Sequence, residues 1–512
     1  MGVKRKTGGK SGCQSANVVS VFLILRFSIR RQFQCDWSEQ TQNLMKTTFK
    51  LFLILACTGL TAAAQSLTTL HSFDFTDGES PYGGVTLSGG VLFGSVEGGV
   101  SPGNGGGVFR CNLDGSGFTN VCGFGGSAHP IGGVVVSGST VYGVTENPGV
   151  VFSVGTNGTG LFTVYNFGNG GGQNPKATLT LVGSTLFGTT ANGDNLFRVN
   201  TGGSAFTNLY DFTSANNDPS TGADTNSDGD ELDSTGTHPT YGSLISSGTL
   251  LYGVAIAGGS GGNGTVFKFD TFSGNFTTLY SFSNTTFNST LQVNTNTTGG
   301  NPVGTMVLSG NTLYGTTSSG GTAGSGTVFK VDTDGGNFKT LYSFSQTVNL
   351  TNADGANPSG GLALSGGTLY GTALNGGSGG EGTVFDITTN GTGFATLYSF
   401  SASTGENPIG AVVLAGNSLY GATLNGGTHG DGTVYALTLP PVALDIASSG
   451  GQLTLSWPSS ATGFVLQSNA TLNALTWSNF TGGYNDNGTN ESVIILPTGG
   501  NAFFRLLNTN GP

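Results

Sequence analysis

Apolar and polar positions alternate over short stretches along most of the chain, and glycine-rich breaks separate the stretches. Residues 357–400, NPSGGLALSGGTLYGTALNGGSGGEGTVFDITTNGTGFATLYSF, show the pattern in full. A first strand at 361–365 and a second at 368–372 flank a Gly366-Gly367 turn. A loop at 375–382 leads to a third strand at 383–387, and Asn390-Gly391 turns the chain into a fourth at 394–400. β-branched and aromatic residues between Gly and Asn turns mark short antiparallel strands. No stretch shows the 3.6-residue period that a helix needs.

The unit recurs. Its second-strand motif, an apolar residue followed by Tyr or Phe and then Gly, occurs seven times, at Phe93, Tyr142, Phe187, Tyr252, Tyr314, Tyr370 and Tyr420. The third strands reach Phe109, Phe152, Phe197, Phe267, Phe329, Phe385 and Tyr435, and each unit opens on a proline, from Pro81 to Pro408. The fourth-strand ending appears first at Phe73, ahead of any first strand, whereas the last unit stops near Tyr435 without a fourth strand of its own. The N-terminal strand is therefore expected to complete the last unit. The predicted architecture is all-β: a seven-bladed β-propeller of four-stranded blades over 65–440, closed by the N-terminal strand so that no sheet edge is left open. An open solenoid is the alternative, but it calls for terminal caps that the sequence does not display.

The Asn-Pro opening, Ser-Gly-Gly-Thr-Leu-Tyr-Gly, Gly-Thr-Val-Phe and Thr-Leu-Tyr-Ser-Phe together resemble the Gloeo/Verruco (GloVer) tandem repeat of bacterial surface and secreted proteins. The resemblance spans roughly residues 66–438 and is closest from Leu251 onward. It implies an extracellular repeat protein and brings no catalytic residues with it.

The two ends of the chain differ from the repeats. Residues 1–44 are basic and read as a disordered start-site extension. Residues 45–64 have a basic start, an apolar run and Ala62-Ala63-Ala64, the pattern of a signal peptide cleaved near Ala64. The expected location is secreted or cell-surface. Removing residues 1–64 leaves seven basic and 25 acidic residues, a net charge of −18, which argues against nucleic acid and anionic membranes as partners. Past Pro440-Pro441 the repeats stop. Residues 441–512 alternate like the strands of a small Ig- or fibronectin-like β-sandwich, with Leu453-Thr-Leu-Ser-Trp457 as its second strand. No apolar C-terminal helix with a basic stop follows, so no transmembrane anchor is expected in the mature chain.

Candidate chemistry is sparse. Asp224, Asn226, Asp228, Asp230 and Asp233 space oxygen side chains around Gly229 like the start of a calcium loop, although Thr235 stands where an EF-hand has its bidentate Glu. Calcium is thus the one cofactor to consider. Cys111 and Cys122 flank the Asp114-Gly115 turn, and in an exported protein they are expected to form a structural disulfide. The four histidines show no metal spacing; His129 and His238 stand before unit-opening prolines where other units have Asn, and read as turn residues. The mid-strand tyrosines read as inter-blade packing rather than as a sugar-stacking ring.

The predicted inner strands carry no Asp, Glu, His, Lys or Arg. This favours a non-enzymatic protein that binds an extracellular polysaccharide or a surface protein through the rim where the variable loops gather. The alternatives are a polysaccharide hydrolase or lyase using rim acids such as Glu97, Glu146 and Asp431, which form no obvious pair in the sequence, or a purely structural surface component.

Overall fold

The computed structural model describes residues 25–27, 65–101, 103–126, 128–168, 174–191, 195–212, 216–217, 224–225, 243–440, 444–449, 452–458, 464–470, 477–486, 490–495 and 500–508. The chain divides into two compact units, with the break between Pro440 and Pro441. The described residues are strands and turns, and among them no helix is long and apolar enough to cross a membrane.

Between Ala64 and Pro440 the described residues form seven four-stranded antiparallel sheets, six of them made from strands consecutive in sequence. We number these sheets 1 to 7 in chain order. Sheet 6 is representative, with strands Ala363–Ser365, Thr368–Ala373, Thr383–Thr388 and Ala395–Ser399. Sheet 7 contains Glu406–Ala415, Ser418–Asn425 and Thr433–Thr438, and its fourth strand is the N-terminal Ser66–Ser72. The pairing runs from Ser66 opposite Thr438 to Ser72 opposite Thr433. The strand missing from the end of the last repeat is supplied by the start of the first, and the array is propeller-like.

The repeat motif follows from packing between and within sheets. In sheet 5 Gly315 lies opposite Phe329, and a Cβ on Gly315 would come within 2.7 Å of the Phe329 ring. The Gly of the Leu-Tyr-Gly motif thus makes room for the aromatic of the third strand. The Gly before Thr-Val-Phe meets the proline that opens the following unit: a Cβ on Gly326, whose φ is +96°, would lie 2.7 Å from Pro358. The same contact joins Gly432 of the last unit to Pro81 of the first, so the ends of the array meet through the interaction that joins its members. Phe344, at the end of sheet 5, packs edge-on against Phe385 of sheet 6 with ring centroids 5.2 Å apart, and Phe73 meets Phe109 in the same way. Such pairs contribute about 0.5–1.5 kcal/mol each beyond the area they bury. Tyr252, Tyr314, Tyr370 and Tyr420 are buried in these interfaces, as expected for packing residues.

The second unit has two antiparallel sheets. One orders Asp445–Ser449, Gln452–Pro458, Asn490–Ile495 and Asn485–Asp486; the other orders Leu25–Phe27, Gly500–Asn508, Phe464–Asn469 and Ser478–Asn479. Leu455, Trp457 and Val493 of the first share a core with Leu466 and Phe504 of the second.

The expectation on the cysteines changes. Cys111 and Cys122 are free thiols. The hairpin closes around Asp114-Gly115, nearer along the chain to Cys111 than to Cys122, which puts Cys122 opposite Val108 rather than opposite Cys111. Burial pushes both thiols up to about 11, so they are protonated near neutral pH. The Gly-rich loops are pinned. The Asn352 side-chain oxygen accepts from Gly355 N and Gly377 N at 2.9 and 2.8 Å, and Asn296 does the same for Gly299 and Gly321.

Candidate functional site

A cavity of about 890 Å³ is lined by the first strands of all seven sheets, including Val85, Val135, Thr180, Ile245, Val307, Leu364 and Val413. Its wall is mainly aliphatic and hydroxylic, in keeping with the uncharged inner strands. Tyr82 and Lys176, which follow the unit-opening prolines Pro81 and Pro175, also line it.

The other side of the unit-opening proline is used structurally elsewhere in the repeat. In sheets 5 to 7 the residue before the proline is Asn301, Asn357 or Asn407, each with a left-handed φ between +52° and +56°. Asn tolerates that conformation better than most residues. Each side chain donates its Nδ2–H to a carbonyl of the preceding unit: Asn301 to Ile256 at 3.1 Å, Asn357 to Ser318 at 2.8 Å and Asn407 to Leu374 at 3.1 Å. Further amide contacts, Asn375 to Asn357 at 3.1 Å and Asn425 to Asn407 at 3.1 Å, extend the clamp.

In the first three units this position holds Ser80, His129 and Asn174, and charged groups gather around it. His129 stands where the clamping Asn would be, and Glu97 occupies the place that Ile256, Ser318 and Leu374 take in their units. His129 Nδ1 lies 3.6 Å from Glu97 Oε1. This is beyond hydrogen-bonding distance, and the buried Nδ1 has no hydrogen-bond partner. One unit on, Glu146 holds the place equivalent to Glu97, and Lys176 Nζ lies 3.0 Å from Glu146 Oε1. The backbone underneath is conventional: Glu146 N donates to His129 O at 2.9 Å, as Leu374 N donates to Asn357 O at 3.2 Å. Only the side chains have changed.

Burial raises the Glu97 carboxyl; the nearby His129 works against this, while the charges of Glu79 and Glu146 add to it. Burial likewise raises the Tyr82 hydroxyl, reinforced by Glu97 and Glu146. Glu79, Tyr82, Glu97, His129, Glu146 and Lys176 are therefore one electrostatically connected group, drawn from the first three units and reaching the cavity through Tyr82 and Lys176. The sequence marked Glu97 and Glu146 as rim acids without a pair; the structure places them in one group. His129, taken for a turn residue, belongs to it, as do Tyr82 and Lys176, which sequence reasoning missed. The signal was present as substitutions at the two positions flanking Pro81, Pro130 and Pro175.

The remaining candidates lie elsewhere. Asp431 and Glu381 contribute backbone carbonyls, which accept from Ser80 N and Asn407 N at 3.0 and 2.9 Å. Asp224 sits in a two-residue strand paired with Asn216–Asn217, and Asn226, Asp228, Asp230 and Asp233 fall outside the described residues, as does His238. Among the described residues no three His, Cys, Asp or Glu side chains are placed to hold a metal ion. The signal-peptide segment 45–64 is also outside them. His71 Nε2 lies 2.9 Å from Asp77 Oδ2 and stacks on Phe118 at 3.4 Å, where the N-terminal strand joins the last sheet.

Among solved structures, the chain is similar to BamB from Moraxella catarrhalis, at 15% identity over 70% of this chain and 85% of that one, with a TM-score of 0.39. It is also similar to a chain of the nidogen/laminin complex, at 13% identity over 65% of this chain and 99% of that one, TM-score 0.36. TolB from Acinetobacter baumannii matches at 11% identity over 59% and 61%, TM-score 0.36. No curated relative matches the chain. The resemblance read from the repeat motifs holds, and its match runs past Pro440: over residues 283–491 the chain carries the Gloeobacter/Verrucomicrobia repeat.

Proposed function

We propose that this protein is a secreted or cell-surface seven-bladed propeller that binds an extracellular polysaccharide without transforming it. In this reading an Ig- or fibronectin-like sandwich follows the propeller, export ends with cleavage near Ala64, and calcium at Asp224, Asn226, Asp228, Asp230 and Asp233 orders one rim loop. The observation that carries the binding reading is the exchange of a clamping Asn for His129, next to half-buried Glu97, with the ion pair of Glu146 and Lys176 one unit on and Tyr82 and Lys176 lining the cavity. A stable scaffold gains nothing from that exchange, because half-buried charges without full pairing cost free energy, whereas a ligand site needs convergent polar groups beside an apolar cavity. The test is a glycan-array screen of the purified chain with and without calcium. Binding to one glycan class that weakens in Tyr82→Ala and Lys176→Ala supports the reading; binding unaffected by both sinks it.

One observation favours an enzymatic second reading. Glu146 has an ammonium partner at 3.0 Å and Glu97 has none, and two carboxyl groups held in unlike environments are what acid–base hydrolysis of a glycosidic bond employs. Release of reducing sugars from the bound glycan, abolished by Glu146→Gln, would establish it.

A further inference from the structure

The cavity framed by the seven first strands changes character along those strands. At the level of the unit-opening prolines its wall carries Tyr82, Lys176 and Ser359, each the residue after a proline. Further along, two residues before the turn glycine, five of the seven units place a leucine: Leu87, Leu181, Leu308, Leu364 and Leu414 all line the cavity. Aliphatic surface in contact with water gains free energy when an aliphatic ligand covers it. The volume of about 890 Å³ falls within the roughly 300–1,000 Å³ of sites that hold small organic molecules.

The polar part of the wall says which head group such a ligand carries. Three of its threonine hydroxyls are occupied in joining sheets. Thr86 donates to Val134 O at 2.7 Å, Thr180 donates to Leu244 O, and Thr178 Oγ1 accepts from Gly133 N at 2.8 Å. Ser359 differs. It is only 6% exposed, and its buried Oγ has no hydrogen-bond partner. A buried hydroxyl left unpaired costs free energy, which a partner brought by a ligand recovers. Lys176 is the one charged side chain among the described residues of the wall, and Glu146 Oε1 already neutralises it at 3.0 Å. A charged head group would therefore be desolvated there without a counter-ion of its own. A sugar ring drawn in as far as the leucines would leave most of its hydroxyls unpaired.

The wall also restricts shape. A Cβ on Gly304 would come within 2.5 Å of Gly360 O in the next sheet, and one on Gly410 within 2.5 Å of the Gly84 Cα. Neighbouring first strands are thus closed against each other at these joins, and a ligand enters by an end of the cavity rather than from the side. An unbranched chain suits that path.

From this arrangement we infer that the cavity binds one unbranched aliphatic chain with an uncharged hydroxyl head. The chain lies against Leu87, Leu181, Leu308, Leu364 and Leu414, and its hydroxyl exchanges a hydrogen bond with Ser359 Oγ. The site does not depend on the glycan reading above.

The experiment is calorimetric titration of the purified full chain with 1-hexanol, 1-heptanol, 1-octanol and octanoate. One molecule per chain is expected, with Kd falling about fourfold for each added methylene, as for its transfer out of water. Octanoate is expected to bind at least about tenfold more weakly than 1-octanol, because its carboxylate is desolvated without a counter-ion. Ser359→Ala is expected to weaken 1-octanol about fivefold, the size of one hydrogen bond, while Asp334→Asn, in an exposed turn of sheet 5, leaves it unchanged. Affinity independent of chain length overturns the inference, and so do the absence of binding by any of the alcohols, tighter binding of octanoate, and displacement of 1-octanol by sorbitol, which would make the cavity a polyol site. Equal affinity in Ser359→Ala overturns it as well, by removing the head-group contact. The chain-length series uses the unaltered protein and holds if the Ser359 variant fails to fold. Binding of a glycan, found or not found, bears on none of these outcomes.

Discussion

Sheets 5 to 7 and sheets 1 to 3 are built on one repeat, yet they surround its unit-opening proline with different side chains. In the later arc Asn301, Asn357 and Asn407 spend their amides on carbonyls of the preceding unit. In the earlier arc His129 takes that place beside Glu97, and Glu146 pairs with Lys176, two residues past Asn174, which keeps the place in its own unit. The backbone hydrogen bonds at these places are retained in both arcs. A repeat protein can therefore exchange the side-chain layer of one arc without rebuilding the fold, because neighbouring units are held by buried aromatics and by the Gly–Pro contact.

The comparison can be broken at its base. Phe329→Ala removes a fully buried ring that fills the space over Gly315, and about 3–5 kcal/mol of stability should be lost, read by denaturant unfolding. Asn357→Ala is the next largest. It deletes the donor to Ser318 and the acceptor of Asn375 and puts a less tolerant residue at φ +55°; a loss of about 1–3 kcal/mol is expected. An equally large loss in His129→Ala would show that the earlier arc carries a clamp too, contrary to the contrast drawn here.

Asp386 sharpens the comparison through pH. Its counterparts one and two units earlier are Lys330 and Lys268, and Lys268 donates to Thr333 O across the sheet interface at 3.4 Å. Asp386 has nothing to donate when ionised, and burial raises its carboxyl from 3.8 to about 6. A carboxyl whose pKa is higher folded than unfolded binds its proton more tightly in the native state, so stability falls as pH rises between those two values and stays lower above them. Thermal unfolding of Asp386→Asn should show a flatter profile from pH 4 to pH 6 than the parent; parallel profiles would contradict the assignment. The smallest effect concerns the thiols. With Cys111 and Cys122 free and raised to about 11, a reductant should leave the melting temperature unchanged, and a thiol reagent should titrate both cysteines only after unfolding.

Much of the scaffold was open to inspection in the linear chain. Strand phasing, the Phe-over-Gly pairs and the completion of sheet 7 by Ser66–Ser72 are local or periodic features, and each recurs often enough for its position to be counted. The cysteine prediction failed on a detail of the same kind: the hairpin closes nearer along the chain to Cys111 than to Cys122, so the ladder sets Cys122 opposite Val108.

The charged mouth lies beyond such reading. Glu79, Glu97, His129, Glu146 and Lys176 are spread over almost a hundred residues, and each by itself looks like a solvated loop residue. Glu97 and Glu146 hold equivalent places in successive repeats, and that much is in the sequence. The packing of each unit on the next is what brings His129 to 3.6 Å from Glu97 and Lys176 to 3.0 Å from Glu146. Periodicity along the chain determined the strands and the closure, because each strand's pattern is set by its own alternation; the site was decided by tertiary structure, because electrostatic interaction depends on distances between units that no local pattern contains.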